Sequence, residues 1–325
     1  MIASLKGYAR VWAVAAVNGD LNRLKVLHGL LEGKFRAGDR LIYLGNYLGR
    51  GAASAELLDE LLLVRRAFLA RFGLLDSDIV YLRGRQEEMW QKLMQLQFAP
   101  NPALVLEWML DKGLAQTMES YGIDIHEATR VAREGVIRLA RWTERARCNV
   151  YSNAGHDIFS SQYKRAAFTD CTMVKADGVC SPLLFVNAGI DATRSLEDQG
   201  DCFWWGHAHF KHMKFAYNPY QTVFRGYDPE NKGALEACNN KKTDEKDNNN
   251  FIIVGGTVAT IGIGAAIIGL RHFRNEEEDD FFEFEDTGPV NLQCPHCSSL
   301  ITIATDQRPI QVGCPMCQAQ FVIRD

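Results

Sequence analysis

Three short aliphatic runs near the start of the chain each break into a glycine-containing loop and then into a helical pattern. Val11 to Val17 leads into Asn18-Gly19-Asp20-Leu21-Asn22, Arg40 to Leu44 into Gly45-Asn46-Tyr47-Leu48-Gly49-Arg50-Gly51, and Asp78 to Leu82 into Arg83-Gly84-Arg85-Gln86-Glu87. Glycine permits the turns such junctions need. The order strand, loop, helix places all three loops at the carboxyl ends of neighbouring strands, where α/β sheets build their sites. Leu24, Leu27, Leu30 and Leu31 recur at helical spacing, as do Leu57, Leu58, Leu61, Leu62, Phe68 and Leu69 within 54–72, and Met89, Trp90, Leu93, Met94 and Leu96 within 87–98. These stripes read as core. An all-helical insertion is expected from about 103 to 170, then strands near 183–187 and 221–226. The pattern fades at Glu236, so the second sheet reads as thin and incomplete at that edge.

The three loops resemble the signatures of calcineurin-like metallophosphoesterases, in particular the bacterial serine/threonine-phosphatase branch, written GDxHG, GDxxDRG and GNHE. Three further stretches extend the likeness to about residue 228. Trp108 to Gly122 is similar to the WLxNGGxxTLxSYG helix, and Phe185 to Asp191 with Asp201 to Trp205 resembles FVHAGIDP followed by DLLW. Thr222 to Pro229 stands where VVHGHTP would be. The resemblance implies a sandwich of two mixed β-sheets flanked by helices.

It also implies a two-metal site, and here the departures matter more than the match. Two metals about 3.5–4 Å apart would clamp phosphoryl oxygens and acidify a water, using carboxylate and imidazole ligands. Of the implied ligand positions only Asp20 keeps a carboxylate; the others are Asn22, Asn46, Arg85, Asn187 and Tyr227. The implied general acid is Gln86, which has no titrating group to donate from, and the residue that would orient it is Gly49. Arg85 would put a fixed positive charge where a cation should sit. Arg50 keeps the family's phosphate-binding arginine position, so Arg50 and Arg85 together suit an oxyanion held without metal.

A net charge of −4 gives no global case for nucleic-acid binding. Arg130, Arg133, Arg138, Arg141, Arg145 and Arg147 cluster on one helical stretch, read as a solvated face. Five cysteines (148, 171, 180, 202 and 238) are scattered before residue 240, and Val11 onward reads as a first strand rather than an export signal. Both features suit a reducing cytoplasm.

Residues 239–250 are polar and of low complexity, a linker. Phe251 to Leu270 then runs 20 residues without a charge, the length that spans a bilayer as a helix, with small residues four apart that permit helix pairing. Basic residues flank it almost evenly, so orientation stays open. Glu276 to Asp286 is acidic with three phenylalanines, a linker or a short partner motif.

Cys294-Pro-His-Cys297 and Cys314-Pro-Met-Cys317 enclose 16 residues, within zinc-ribbon spacing. The same frame of alternating apolar residues surrounds each pair, predicting two hairpins that offer four thiolates to one tetrahedral Zn²⁺. A redox role for either pair is the second reading.

The expected organisation is a degenerate phosphoesterase-like domain over 1–237, a polar linker over 238–250, a transmembrane helix over 251–270, an acidic linker over 271–289 and a zinc ribbon over 290–325. The expected function is a membrane-tethered pseudophosphatase acting in binding or assembly. Two other classes stay open: a metal-dependent phosphoesterase with an altered site around Asp20, Asn22, Asn46 and Asn187, and a zinc-ribbon adaptor for nucleic acid or protein. Structural zinc is the expected cofactor, with no binuclear metal in the large domain. The expected partners are a membrane, through 251–270, and a protein, phosphorylated in one form of the reading. The large domain is expected in the cytoplasm, with the side of the ribbon left open.

Overall fold

A computed structural model describes residues 1–170, 182–229 and 236–239, together with the strand backbones at 251–253, 267–271, 290–293, 300–303, 310–313 and 320–323. The chain divides into two compact units, Met1–Phe273 and Arg274–Asp325.

The large unit begins with β1 (Ala3–Leu5), β2 (Arg10–Val14), α1 (Leu21–Lys34), β3 (Arg40–Tyr43), α2 (Ser54–Phe72), β4 (Ile79–Tyr81) and α3 (Arg85–Leu93). The helical insertion follows as α4 (Pro102–Met109), a π-turn at Leu110–Leu114, α5 (Ala115–Ser120), α6 (Ile125–Val131), α7 (Val136–Tyr151) and α8 (His156–Ser161). Then come β5 (Ala167–Thr169), β6 (Leu183–Val186), α9 (Cys202–Trp205), α10 (His207–His212), β7 (Thr222–Arg225), β8 (Glu236–Asn239), β9 (Phe251–Ile253) and β10 (Ile267–Arg271).

Two mixed five-stranded sheets result, ordered β1-β5-β6-β7-β8 and β4-β3-β2-β10-β9. In the second, β2, β3 and β4 are parallel; in the first, β6 and β7 are parallel. Alternation along the strands sends side chains to two different cores. Val11, Ala13, Ile42, Leu44 and Val80 cluster with Leu5, Ala167, Leu183, Phe185 and Phe224 of the other sheet. Trp12, Val14, Leu41, Tyr43 and Tyr81 instead pack with α1, α2 and the insertion, while Leu184, Val186 and Val223 pack with Phe203, Trp204 and Phe210 of α9 and α10. Both faces of each sheet are therefore covered, which is why these strands are apolar throughout rather than alternating with polar residues. The arginine-rich stretch from α6 into α7 does carry a solvated face: Arg130 and Arg138 both pair with Glu134, and Arg145 with Glu127.

The second sheet departs from expectation. The helix expected over 251–270 is absent at both ends of that run, where Phe251–Ile253 and Ile267–Arg271 are strands; residues 254–266 lie outside the described residues. β10 pairs antiparallel with β2 over five residues, from Ile267↔Val14 to Arg271↔Arg10, and β9 pairs with β10. Among the described residues no helix is long and apolar enough to cross a membrane. The physical reason is strand propensity combined with an edge to pair with. Ile252, Ile253, Ile267 and Ile268 are β-branched and fit a pleated ladder, and β2 without β10 would present an open edge. Because β10 lies between two strands, Ile268→Pro removes a ladder donor and should lower the melting temperature of the large unit by several degrees. A melting temperature unmoved by that substitution, with the protein held on membranes through carbonate extraction, would restore the spanning helix.

Candidate functional site

The loops after β2, β3, β4, β6 and β7 converge where the two sheets meet. Backbone hydrogen bonds tie them together: the Asn18 and Gly19 N–H groups donate to the Asn46 and Tyr47 carbonyls at 2.7 Å each, and Ala16 N–H donates across to the Gly226 carbonyl at 3.0 Å. The loops are tight enough that Asn18, Asn46 and Arg50 all take positive φ, at 50°, 58° and 36°, a region costly for side chains other than glycine.

Glu87 pins the assembly. Its buried carboxylate accepts four backbone N–H groups: Oε2 from Asn46 and Gly84 at 2.8 Å each, Oε1 from Tyr47 at 2.8 Å and Leu48 at 3.0 Å. One side chain thus fixes the second and third loops against each other. Burial pushes the Glu87 carboxyl up from its ordinary value, and the backbone N–H groups pull it back only in part.

At the centre lies Arg85, the first residue of α3 and only 8% exposed. Its backbone N–H donates to Asn187 Oδ1 at 3.2 Å, and its Nη2 donates to the Tyr227 hydroxyl at 3.2 Å. The guanidinium carbon stands 5.3 Å from the Trp205 ring centre and 5.2 Å from that of Tyr227, both in cation–π range. Burial lowers the Arg85 pKa; Tyr227 acts against that and the nearby Arg50 charge adds to it. Arginine nonetheless stays a cation at neutral pH.

The replaced ligand positions are spent on structure. Asn187 Nδ2 donates to the Leu44 carbonyl at 2.6 Å while its Oδ1 takes the Arg85 N–H. Asn46 Oδ1 accepts the Gln86 N–H at 3.3 Å, so its amide NH₂ faces the other way. Gln86 Nε2 donates to the Lys112 carbonyl at 2.9 Å. Gly49 makes room for Gln86, since a Cβ there, at φ +91°, would fall 2.6 Å from Gln86 Oε1. Asp20 is exposed and caps α1, its Oδ1 accepting the Arg23 N–H at 3.0 Å; Asn22 is exposed on the first turn of that helix. The surviving carboxylate is a helix cap with a structural use of its own.

A binuclear metal centre does not fit this donor set. A buried guanidinium, two carboxamides held by the backbone and a tyrosine hydroxyl offer no carboxylate to bridge two cations. What the cluster does offer is unmet hydrogen bonding. Asn18 Oδ1, Asn46 Nδ2, Arg85 Nε and Gln86 Oε1 are buried without a hydrogen-bond partner, each at a cost of about 1–3 kcal/mol if left so. The side chains of Arg50 and Arg85 make no ion pair among the described residues. Arg50 is exposed and lines an open depression of about 590 Å³ with Asn18, Asp20, Arg23 and Gly51. Arg85 is not among the residues lining that depression, so the two expected anion-binding arginines occupy different depths. Cys294, Cys297, Cys314 and Cys317 lie outside the described residues.

Sequence reasoning gave no role to Glu87, Trp205 or the tyrosine ring at 227. The signal for Glu87 was present: a carboxylate in the first turn of a helix, directly after a glycine loop. Nothing local marked Trp205 as the ring over Arg85.

No protein-family model matches the sequence, and no curated protein does. Solved structures give low-identity likenesses. A protein serine/threonine phosphatase from Saccharomyces cerevisiae, with similarity to human phosphatase PP5, is 11% identical over 67% of this chain and 49% of its own, at a TM-score of 0.29. A cold-active protein-tyrosine phosphatase of a psychrophile, Shewanella sp., is 13% identical over 59% of this chain and 46% of its own, also at 0.29. The chain therefore spans about half the length of either, and likenesses at this level assign it no activity.

Proposed function

We propose that the large unit is a binding module on a phosphoesterase-type sandwich, a pseudophosphatase that holds an oxyanion instead of hydrolysing a phosphate ester. One observation carries this reading: the Arg85 guanidinium is buried at the meeting point of the strand-end loops, clasped by Tyr227 and Trp205, with no carboxylate partner among the described residues. A buried unpaired cation is costly, and an anion relieves that cost. Arg50 adds a second positive charge nearer the solvent. The unmet donors Asn46 Nδ2 and Arg85 Nε suit the several acceptor oxygens of a phosphate or phosphate monoester. The natural ligand in this reading is a phosphorylated partner, and the Cys294, Cys297, Cys314 and Cys317 thiolates hold one structural zinc elsewhere in the chain. The two ends of the run, Phe251–Ile253 and Ile267–Arg271, enter as strands of the sheet, and carbonate extraction separates that from a tether.

The test combines metal content, turnover and thermal stability. Purified full-length protein should carry one zinc and no second metal, and should not turn over aryl phosphates in added Mn²⁺. Phosphate at 100 times its Kd should stabilise it by about 2.7 kcal/mol, and chloride at matched ionic strength should not. Arg85→Ala should remove the phosphate effect. Metal-stimulated turnover that disappears in Asp20→Ala, or equal stabilisation by chloride, would sink the proposal.

A further inference from the structure

An open depression of about 810 Å³ shares none of its lining residues with the strand-end site. Asp191 and Thr193 reach it from the loop after β6, His209 and His212 from α10, and Lys214 and Phe215 from the turn that leads to β7. The sequence around it is one-sided in charge. From Cys202 to Tyr227 it holds three histidines, two lysines and one arginine, and no acidic residue.

Its walls are held from behind. Gln199, 1% exposed, accepts the Asp191 N–H at 2.7 Å, and its Nε2 donates to the Asp191, Arg194 and Ser195 carbonyls at 2.9, 3.2 and 3.0 Å. The Tyr217 hydroxyl donates to the Arg194 carbonyl at 2.7 Å, which joins this loop to the opposite wall. α10 is anchored by Arg225, whose guanidinium carbon stands 4.5 Å from the Phe210 ring centre and whose Nη1 donates to the His207 carbonyl at 3.3 Å. Lys211 adds an ion pair to Asp228 at 3.7 Å. A depression ordered in this way before it is filled has little ordering left to lose on binding.

The negative charge in the lining is already engaged. Asp191 Oδ1 accepts the Thr193 N–H at 2.9 Å and the Thr193 hydroxyl at 2.6 Å, and Oδ2 faces Arg194 Nε at 3.1 Å. The donors are not. His209, His212 and Lys214 are exposed, and their side chains make no hydrogen bond or ion pair among the described residues. An ammonium offers three N–H donors and each imidazole at least one. Beside them Phe215 is 68% exposed, and Met213 and Ala216 line the same depression. An uncharged ligand leaves the ammonium unanswered, and a bare anion leaves Phe215 uncovered. We infer that this depression binds a small amphiphilic oxyanion, a carboxylate or phosphate monoester on an apolar chain. Its head lies on Lys214, His209 and His212, and its chain runs along Phe215 and Met213.

The experiment is calorimetric titration of the full-length protein with hexanoate, hexyl phosphate, methyl phosphate and hexanol. Charge-assisted hydrogen bonds are roughly twice as strong as neutral ones, so both hexyl anions should bind about tenfold more tightly than hexanol. Partial burial of the chain is worth about twofold per methylene, so hexyl phosphate should exceed methyl phosphate by about thirtyfold. The order of hexanoate and hexyl phosphate names the head group. Lys214→Met, which keeps the apolar stem, should weaken both anions about tenfold and leave hexanol unchanged. His209→Gln combined with His212→Gln should weaken them several-fold, and Phe215→Ser should flatten the dependence on chain length. Arg85→Ala should change none of these values; loss of anion binding in that variant would move the ligand to the strand-end loops and overturn this assignment. Hexanol binding as tightly as the anions, anion binding untouched by the Lys214 and histidine variants, or no binding at all would overturn it too. So would sedimentation with phosphatidylglycerol vesicles by a protein that ignores all four monomeric compounds, which would make the patch a membrane contact.

Discussion

Glu87→Ala is expected to unfold the strand-end loops rather than merely to weaken a ligand. The carboxylate accepts the N–H groups of Asn46, Tyr47, Leu48 and Gly84 while 2% exposed. Deleting it leaves four buried donors without acceptors, at about 1–3 kcal/mol apiece. Even the low end of that range takes about 4 kcal/mol from a fold whose whole stability is of order 5–15 kcal/mol. Urea denaturation should show a large fall in midpoint and soluble yield should drop, whereas Asp111→Ala, at an exposed position paired with Lys112, should be silent. Glu87→Gln should fall between, since one amide oxygen cannot serve both pairs of donors. The sign of the pH dependence follows from the raised carboxyl pKa. The folded state binds this proton more tightly than the unfolded chain does, so the residue's contribution is full below the unfolded value, about 4.3, and declines as pH rises through the folded one. The stability gap between wild type and Glu87→Gln should therefore narrow from pH 4 to pH 7. A midpoint for Glu87→Ala within experimental error of wild type would show that the loops hold without this side chain.

Much of the sandwich could be read from the sequence because its strands are apolar on both faces and its loops carry glycine at fixed places. Val11 to Val14, Leu41 to Tyr43 and Leu183 to Val186 fall where expected, and α2 runs over the predicted 54–72. Short strands escaped. Ala3–Leu5 and Ala167–Thr169 have three residues each and become strands by pairing with each other and, for the second, with β6, which no local pattern reveals. The ends of the run 251–270, expected as helix, are strands for a different reason. Hydropathy has the same value whether an uncharged stretch lies in lipid as a helix or supplies strands to a sheet. The choice is made by the open edge of β2, more than 200 residues earlier in the chain.

The site shows the same division. That Asn46, Asn187 and Tyr227 are poor metal ligands is evident from residue type alone. Where their side chains go is not. Asn187 reaches the Leu44 carbonyl and Tyr227 reaches Arg85 only because the two sheets meet there. Asp20 adds a role that its motif position did not announce: its hydrogen bond to the Arg23 N–H makes it the cap of α1.

Removing zinc should erase the small unit while leaving the large one folded. Its described backbone consists of two antiparallel pairs, β11 (Val290–Gln293) with β12 (Leu300–Ile303) and β13 (Ile310–Gly313) with β14 (Gln320–Ile323). Each ladder stops at the residue before the first cysteine of a CxxC pair, Gln293 before Cys294 and Gly313 before Cys314, and resumes three residues after the second. A lone two-stranded hairpin is marginal in water, and a segment this short buries too little to fold unaided. In the proposed zinc reading, four thiolates on one Zn²⁺ would supply the missing term, worth about 10–16 kcal/mol in comparable zinc-finger peptides. In the full-length protein, a strong chelator or Cys314→Ser should therefore abolish amide protection across residues 290–323, and zinc content should fall from one per chain to none. Protection in β2, β3 and β6 should be unchanged. Hairpin protection that persists in chelator, or that depends on oxidation of the CxxC pairs rather than on metal, would transfer those cysteines from zinc to thiol–disulfide chemistry.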